Sequence, residues 1–290
     1  MKKVLALLCL ATLLEANMPS FSAIFRLKSL AALTQVKVVG SHHKIAGTGY
    51  TQREEYYGPI DWSKPFASYK PIFFEHPSVL KFDRDKMPGG WADPVEFYKN
   101  PNFKKLMRKS FSKALKFDAE GRPLNPMGRT NIYGRGLLGK WGVNLAADPI
   151  ITRINPATGK LEMLAIKRKD NGIWAIPGGM VDDGDSVSLT LAKEFEEECG
   201  INVPTDFMKN AKLIYEGYVD DPRNTDNAWI ETVAKWLHLD ENNPISKMTP
   251  IAGDDAAKAQ WKELAPKFVN SLYASHPQIV AKVVELYNNK

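Results

Sequence analysis

The stretch of residues 178–201, GGMVDDGDSVSLTLAKEFEEECGI, constrains this chain more than any other. Asp185 and Ser186 are typical of a helix start and Gly200 of a helix end, so the residues between them are predicted to form a helix. Apolar side chains recur there every four residues and form one stripe along the helix. The members of the stripe are Val187, Leu191 and Phe195. The helix is therefore expected to pack one face against a core.

Three glutamates of this helix do not lie where a solvated charge run would place them. At about 100° per residue, Glu194 and Glu198 fall at the edge of the apolar stripe, and Glu197 lies on the adjoining side. Glu196 points to the solvent side. Half-buried carboxylates this close raise one another's pKa values unless cations neutralise them, and hard oxygen ligands suit Mg²⁺ or, alternatively, Mn²⁺. The spacing therefore favours a metal site over a plain acidic helix.

The charge of the chain is concentrated at its start. The net charge of +6 would suit a partner that is a polyanion, but residues 1–53 hold seven basic side chains and one acidic one. The remainder holds 32 of each, so we expect no nucleic-acid partner. One basic segment, PNFKKLMRKSFSKALK, is predicted to contain a helix over residues 102–116. We interpret its charges as a solvated face, with a phosphate-binding patch as the alternative.

Residues 1–45 are interpreted as a targeting leader. Two lysines precede an apolar run over residues 4–14, as in a secretory signal peptide. Basic residues and serines without acids over residues 18–44 are instead typical of a mitochondrial presequence. Of these two interpretations, the composition of residues 1–45 favours a secretory signal peptide. The apolar run is too short to span a bilayer, so we expect no membrane span in the mature chain.

Two domains are expected after the leader. Residues 46–137 are rich in glycine, proline and aromatic residues, and are predicted to form a loop-rich α+β domain with a small aromatic core. Residues 138–290 contain a predicted hairpin with its turn at 155–159, the acidic helix, two strands flanking the polar segment DDPRNTDN, and a final helix over residues 277–288. This order predicts a mixed sheet covered by helices on both sides. We expect the chain to be a monomer.

The acidic helix and the glycines before it resemble the Nudix box, the motif of a hydrolase superfamily. The pattern begins at Gly179, and its other matching positions are Glu194, Phe195, Glu197, Glu198, Gly200 and Ile201. Asp185 stands where the family has glutamate, and Lys193 where it has arginine. Lysine cannot hold a carboxylate by two parallel hydrogen bonds as arginine does. We therefore expect Lys193 to orient Glu194 or Glu197 less firmly than arginine would.

Sequences beyond the box resemble one branch of the superfamily. This branch contains the ADP-ribose pyrophosphatases of the mitochondrial type and the ADP-ribose-sensing domain of melastatin channels. The likeness extends over residues 128–276 and includes YEGYVDDPRNTDNAWIETVA and LYASH. It implies a Nudix fold, a mixed sheet between helices, beside a smaller N-terminal domain. It also implies that ADP-ribose binds in the cleft between the two domains and that the protein is mitochondrial.

The resemblance implies roles for several residues. The Gly178 carbonyl and the carboxylates of Glu194 and Glu198 would hold the metal, with Glu197 close by. Four residues would contact the substrate: Asp221, Arg223, Leu272 and His276. From the residues alone, the segment DDPRNTDN that contains the first two would be a polar hairpin loop.

The implied reaction is hydrolysis of the diphosphate of ADP-ribose to AMP and ribose 5-phosphate by metal-assisted attack of water. Asp254 and Asp255, in a loop before a late strand, are candidates for the base or an extra ligand, and a plain turn is the alternative. Two functions compete: a sensor that binds ADP-ribose without cleaving it, and a hydrolase of RNA caps or dinucleotides. Sensing domains have lost box glutamates that this chain keeps, which argues against a sensor. The residues after position 53 have no net charge, so no basic groove for RNA is predicted.

Overall fold

The computed structural model describes residues 59–112, 114–201, 203–204, 206–252 and 256–289. The predicted leader, the first part of the N-terminal domain, and both Asp254 and Asp255 lie outside the described residues. No helix of the described ranges combines the length and the apolar composition that crossing a bilayer requires.

The described chain contains eleven strands and five α-helices. The strands are β1 (Ile72–Glu75), β2 (Lys116–Phe117), β3 (Pro123–Leu124), β4 (Ile132–Gly136), β5 (Gly142–Ile154), β6 (Leu161–Arg168), β7 (Trp174–Ala175), β8 (Gly179–Met180), β9 (Lys212–Tyr218), β10 (Ala228–His238) and β11 (Ala256–Glu263). The α-helices are α1 (Pro77–Lys81), α2 (Phe103–Leu106), α3 (Val187–Cys199), α4 (Pro266–Val269) and α5 (His276–Asn288).

A seven-stranded mixed sheet forms the larger part of the molecule. Its strand order is β11-β6-β5-β10-β9, with β7 paired to β6 and β8 paired to β5. The central strands β5 and β10 are parallel, in a register that runs from Gly142 opposite Ala228 to Thr152 opposite His238. Both strands are almost wholly buried, as a parallel pair covered on two faces requires. The remaining pairs of this sheet are antiparallel.

Helices cover both faces of this sheet. Leu191 and Phe195 of α3 pack in one core cluster with Ile151 of β5. Val280 of α5 packs in a second cluster on side chains that include Ile150 of β5. Neighbouring residues of a strand point to opposite faces, which is why Ile150 and Ile151 join different clusters. The predicted mixed sheet between helices, and with it the Nudix fold, is confirmed, as are the hairpin from β5 to β6 and the final helix.

The N-terminal region has the short strands expected of a loop-rich α+β domain, but differs from its prediction in its helix and in its aromatic core. It is built from two small two-stranded sheets, β1 with β4 and β2 with β3. The helix predicted over residues 102–116 is wrong: α2 ends at Leu106, because Met107 is already extended at ψ 150°. The aromatic core is only partly as expected. Phe73 is 53% exposed. The Arg129 guanidinium lies over three other aromatic rings, those of Trp62, Phe66 and Tyr69.

Candidate active site

Helix α3 begins and ends where the sequence predicts. Ser186 Oγ accepts a hydrogen bond from the Leu189 N–H at 3.2 Å and so caps the first turn. Gly200 adopts a left-handed φ of 64°, and its N–H donates to the Glu196 carbonyl. The fully buried Phe195 fixes which face of the helix meets the sheet. The positions of the glutamates follow from these local signals.

Two carboxylates of α3 lie against the glycines that precede it. Glu198 is buried, and its Oε2 accepts a hydrogen bond from the Gly178 N–H at 2.7 Å. Glu194 is half-buried, and a Cβ added to Gly179 would lie 2.2 Å from its Oε1. A side chain at position 179 would therefore displace the Glu194 carboxylate from this position. The two glycines allow the backbone to approach both acids closely.

The electrostatics of this pair suit a divalent cation. Burial, reinforced by the charges of Glu198 and Glu197, raises the pKa of Glu194 to about 8. A cation with hard oxygen preference would relieve that repulsion. Within the described ranges, no three acidic, histidine or cysteine side chains already form a metal-binding group. A metal here would therefore need backbone or water oxygens in addition to the carboxylates, and the Gly178 carbonyl belongs to the adjoining backbone.

Glu197 departs from the expected burial. The helical spacing predicts three half-buried carboxylates, and the structure turns two of them towards the core but leaves Glu197 exposed. The reason is its rotation about the helix axis relative to Glu194, three residues earlier, which moves it further from the apolar stripe. Its charge still reaches Glu194, whose pKa it helps to raise.

A second charged group lies in the polar loop after β9. Arg223 donates to Asp221 through Nε at 2.8 Å, through Nη2 at 2.9 Å and through its backbone N–H at 2.9 Å. The Tyr273 hydroxyl donates to the same carboxylate at 3.3 Å. Burial alone would raise the pKa of Asp221, but the charge and hydrogen bonds of Arg223 lower it. Asp221 is 4% exposed and the Arg223 side chain 29%, so the carboxylate holds the guanidinium at the surface of the site.

His276, the first residue of α5, lies beside this group. Its Nδ1 accepts a hydrogen bond from the Ile176 N–H at 2.9 Å. Burial, together with the positive charges of Arg168 and Arg223, lowers the pKa of His276 to about 4. The ring is therefore neutral at pH 7 and carries its proton on Nε2. Leu272, by contrast, packs its side chain in the core beneath α5.

Sequence reasoning missed Asp148, a buried carboxylate of β5. Its Oδ2 accepts a hydrogen bond from Thr232 Oγ1 at 2.6 Å, and a Cβ on Gly178 would lie 2.2 Å from its Oδ1. Burial raises the pKa of Asp148 to about 6, against the effect of the Thr232 hydrogen bond. One signal in the sequence could have indicated this residue. Asp148 is the single charged residue in GVNLAADPIIT, the first eleven residues of β5.

The polar loop is divided between two tasks. Its first half, with Asp221 and Arg223, faces the site. Its second half is buried and joins the two regions of the chain. Asp226 accepts from the Thr130 N–H at 2.6 Å, and Asn227 Nδ2 donates to the Pro123 carbonyl at 3.0 Å. The loop joins the antiparallel strands β9 and β10, as the hairpin interpretation predicts, and its side chains also link the two regions of the chain.

The two charged groups meet across a short backbone segment. Ile176 donates to His276 of one group, and Gly178, two residues later, donates to Glu198 of the other. Asp148 adjoins the same segment, because a Cβ added to Gly178 would lie 2.2 Å from its Oδ1. Its charge helps to raise the pKa of Glu194, and the charge of Arg223 in turn lowers the pKa of Asp148. The structure thus brings together the predicted site residues that it describes, except for the exposed Glu197 and the side chain of Leu272.

Comparisons with known proteins identify the two regions of the chain. The model of a "NUDT9-like, N-terminal domain" matches residues 58–142, and that of a "NUDIX domain" matches residues 147–279. The mitochondrial ADP-ribose pyrophosphatase of Rattus norvegicus is 41% identical over 258 residues, which cover 78% of this chain and 71% of that protein. An ADP-ribose pyrophosphatase of Methanocaldococcus jannaschii is 32% identical over 41% of this chain and 62% of its own length.

A channel shares the same two-domain region. The transient receptor potential cation channel subfamily M member-like 2 of Nematostella vectensis is 40% identical over 78% of this chain, but over only 16% of the channel. This chain therefore corresponds to one part of that channel. Nudix hydrolases generally use divalent metal ions, in keeping with the carboxylates beside β8. From its domain models and its relatives, the chain belongs to the Nudix hydrolase family, in the branch that carries a NUDT9-like N-terminal domain.

Proposed function

We propose that this protein hydrolyses the diphosphate of ADP-ribose to AMP and ribose 5-phosphate, assisted by Mg²⁺, for which Mn²⁺ can substitute. One observation carries the proposal: the backbone from Ile176 to Gly178 contacts His276 on one side and Glu198 on the other. A diphosphate beside this segment would meet carboxylates for a metal at one end and Arg223 at the other. The name of the mitochondrial relative supplies the identity of the substrate.

The metal would be held by Glu194, Glu198 and the Gly178 carbonyl, with Glu197 nearby. When bound, a divalent ion stabilises negative charge on the diphosphate oxygens and lowers the pKa of a coordinated water molecule. Burial of Glu194 and Glu198 strengthens their interaction with a cation, because the local dielectric constant is lower than that of water. Asp254 and Asp255, outside the described residues, remain candidates for the base.

Substrate binding would fall to the second group. Asp221 orients the Arg223 guanidinium by two hydrogen bonds, so the outer edge of that guanidinium can donate to an anionic oxygen. The neutral His276 would donate from Nε2 to a ribose or phosphate oxygen, since its Nδ1 already accepts from Ile176. A contact from Leu272 would come from its backbone, because its side chain lies in the core.

The test is to incubate the purified full-length chain with ADP-ribose and Mg²⁺ and to follow AMP by chromatography. ADP, a dinucleoside polyphosphate and a capped RNA serve as comparison substrates, and a sample with excess chelator serves as the control. We expect AMP to appear from ADP-ribose at a far higher kcat/KM than from the comparison substrates, and only with the metal.

Two other outcomes would point to the competing functions. Tight binding of ADP-ribose without release of AMP would identify a sensor, the function suggested by the similarity to the channel. Faster cleavage of the dinucleoside polyphosphate or the capped RNA would identify a different Nudix hydrolase. Either result contradicts the proposal.

A further inference from the structure

One arginine of the basic segment does not belong to a solvated face. Arg108 Nη2 donates to the Val181 carbonyl at 2.5 Å and to Asp183 Oδ1 at 2.9 Å. The other Asp183 oxygen accepts from Lys140 Nζ at 2.5 Å and from Arg84 Nη1 at 3.5 Å. Three cations from outside the box thus converge on one carboxylate, in the loop between β8 and α3. For Arg108, the solvated-face interpretation is wrong.

A second acid, Asp93, binds two of these three cations, Arg84 and Lys140. Asp93 is 5% exposed and accepts from Arg84 Nη2 at 2.6 Å and from the Trp141 N–H at 2.9 Å. Its carboxylate also lies 3.9 Å from Lys140 Nζ. Arg84 and Lys140 are therefore placed between two carboxylates, and Asp183 meets groups that are already ordered by the N-terminal region.

The residues after Arg108 are anchored to the sheet. Ser110 Oγ donates to Glu231 Oε1 at 2.5 Å, and the Phe111 N–H donates to Oε2 at 2.7 Å. Trp229 Nε1 donates to Oε1 at 2.9 Å. Glu231 is fully buried on β10, so breaking these bonds would leave a charge without donors inside the protein. We call residues 108–111 the strap, because they connect the central sheet to the loop before α3.

We propose that the strap positions the catalytic helix: Glu231 fixes the strap to β10, and Arg108 fixes the loop of residues 181–183. The inference rests on the proposed function. The loop joins Gly179, which contacts Glu194, to the start of the helix that carries Glu194. A shift of the loop therefore changes the distance between the glycines and the carboxylates, and misplacement by about 1 Å can cost about a hundredfold in rate.

The test compares four variants of the full-length chain: Arg108→Gln, Asp183→Asn, the double variant, and Lys105→Gln as a control. Lys105 is exposed in the same basic segment, so its variant removes the same charge without touching the loop. We expect Arg108→Gln and Asp183→Asn each to lower kcat roughly fivefold to thirtyfold, with KM changed much less. The double variant should lose less than the product of the two single losses, because both substitutions remove the Arg108–Asp183 contact. Lys105→Gln should match the wild type.

A second measurement does not depend on activity. Hydrogen–deuterium exchange in residues 181–186 should accelerate severalfold in Arg108→Gln and Asp183→Asn, and Arg108→Lys should restore part of the protection and of kcat. Unchanged exchange, or kcat losses that multiply in the double variant, would overturn the inference. If exchange responds while the wild type releases no AMP, the strap still holds the loop, and it is the proposed function that fails.

Discussion

Lys193 Nζ lies 2.7 Å from Asp185 Oδ2, so the two residues that depart from the Nudix box pattern pair with each other. Both side chains keep the charge of the residue they replace. The lysine contacts the residue just before the Ser186 cap of α3, rather than Glu194 or Glu197, which the box comparison had suggested. The pair therefore ties the helix to its own preceding loop. With the Lys193 side chain 46% exposed, solvent screens this interaction.

Lys193→Arg should leave kcat unchanged or raise it, because a guanidinium can hold Asp185 by two hydrogen bonds. Lys193→Met should cost less than about 1 kcal/mol of unfolding free energy, as expected for a solvent-exposed pair. Steady-state kinetics measure kcat, and urea unfolding measures the free energy of unfolding. Asp185→Asn, alone and combined with Lys193→Met, completes a double-mutant cycle for the pair. A large fall in kcat for Lys193→Arg at unchanged stability would mean that lysine has a role of its own.

Glu194→Gln and Glu198→Gln should each lower kcat by at least about a hundredfold, because each removes a charged metal ligand. The fold should persist, since a neutral amide is easier to bury than a carboxylate. Circular dichroism and thermal unfolding check the fold, and AMP release at saturating Mg²⁺ checks the rate. Glu196→Gln, on the exposed side of the same helix, is the matched control and should keep wild-type kcat. Near-normal turnover in either of the first two variants would show that the pair is structural.

Arg223→Ala should reduce kcat/KM for ADP-ribose roughly tenfold to a hundredfold, the value of one charge-assisted hydrogen bond to a bound ligand. ADP, which lacks the distal ribose, should be a poor substrate already and lose little more. The variant leaves Asp221 buried without its cation, so thermal unfolding must be measured alongside, with Arg223→Lys as the charge-preserving comparison. Equal losses for both substrates would assign Arg223 to the diphosphate or to the loop itself.

His276 should make stability fall at acidic pH. The unfolded histidine has an ordinary pKa of 6.5, and burial lowers the folded value to about 4. The unfolded state therefore binds more protons between these values, and the contribution, full above pH 6.5, is lost as the pH falls towards 4. The loss would be at most on the order of 3 kcal/mol. Urea unfolding at pH 7 and pH 4.5 should show a smaller acid loss in His276→Gln than in the wild type, and equal losses would contradict the lowered pKa.

Features that depend on residues close together in the chain could be predicted from the amino-acid sequence. The bounds of α3 follow from Ser186 and Gly200, and the placement of Glu194 and Glu198 follows from helical periodicity. The long box pattern was specific enough to indicate the family, and the period-two strands with their turns predicted the hairpin from β5 to β6. In each case the determining residues lie in one continuous segment of the chain, so one sequence window contains the whole interaction.

Contacts between distant segments could not be predicted, because they form only when the chain is folded. Thr232 bonds Asp148 across 84 positions, and Ser110 bonds Glu231 across 121, contacts that depend on strand register and on the docking of the N-terminal region. The same docking ended the predicted basic helix early and turned Arg108 towards the box, because satisfying a buried carboxylate outweighs the modest helix propensity of an exposed segment. Local periodicity contains no information about such partners, which is why the strap and the buried Asp148 appear only once the chain is folded.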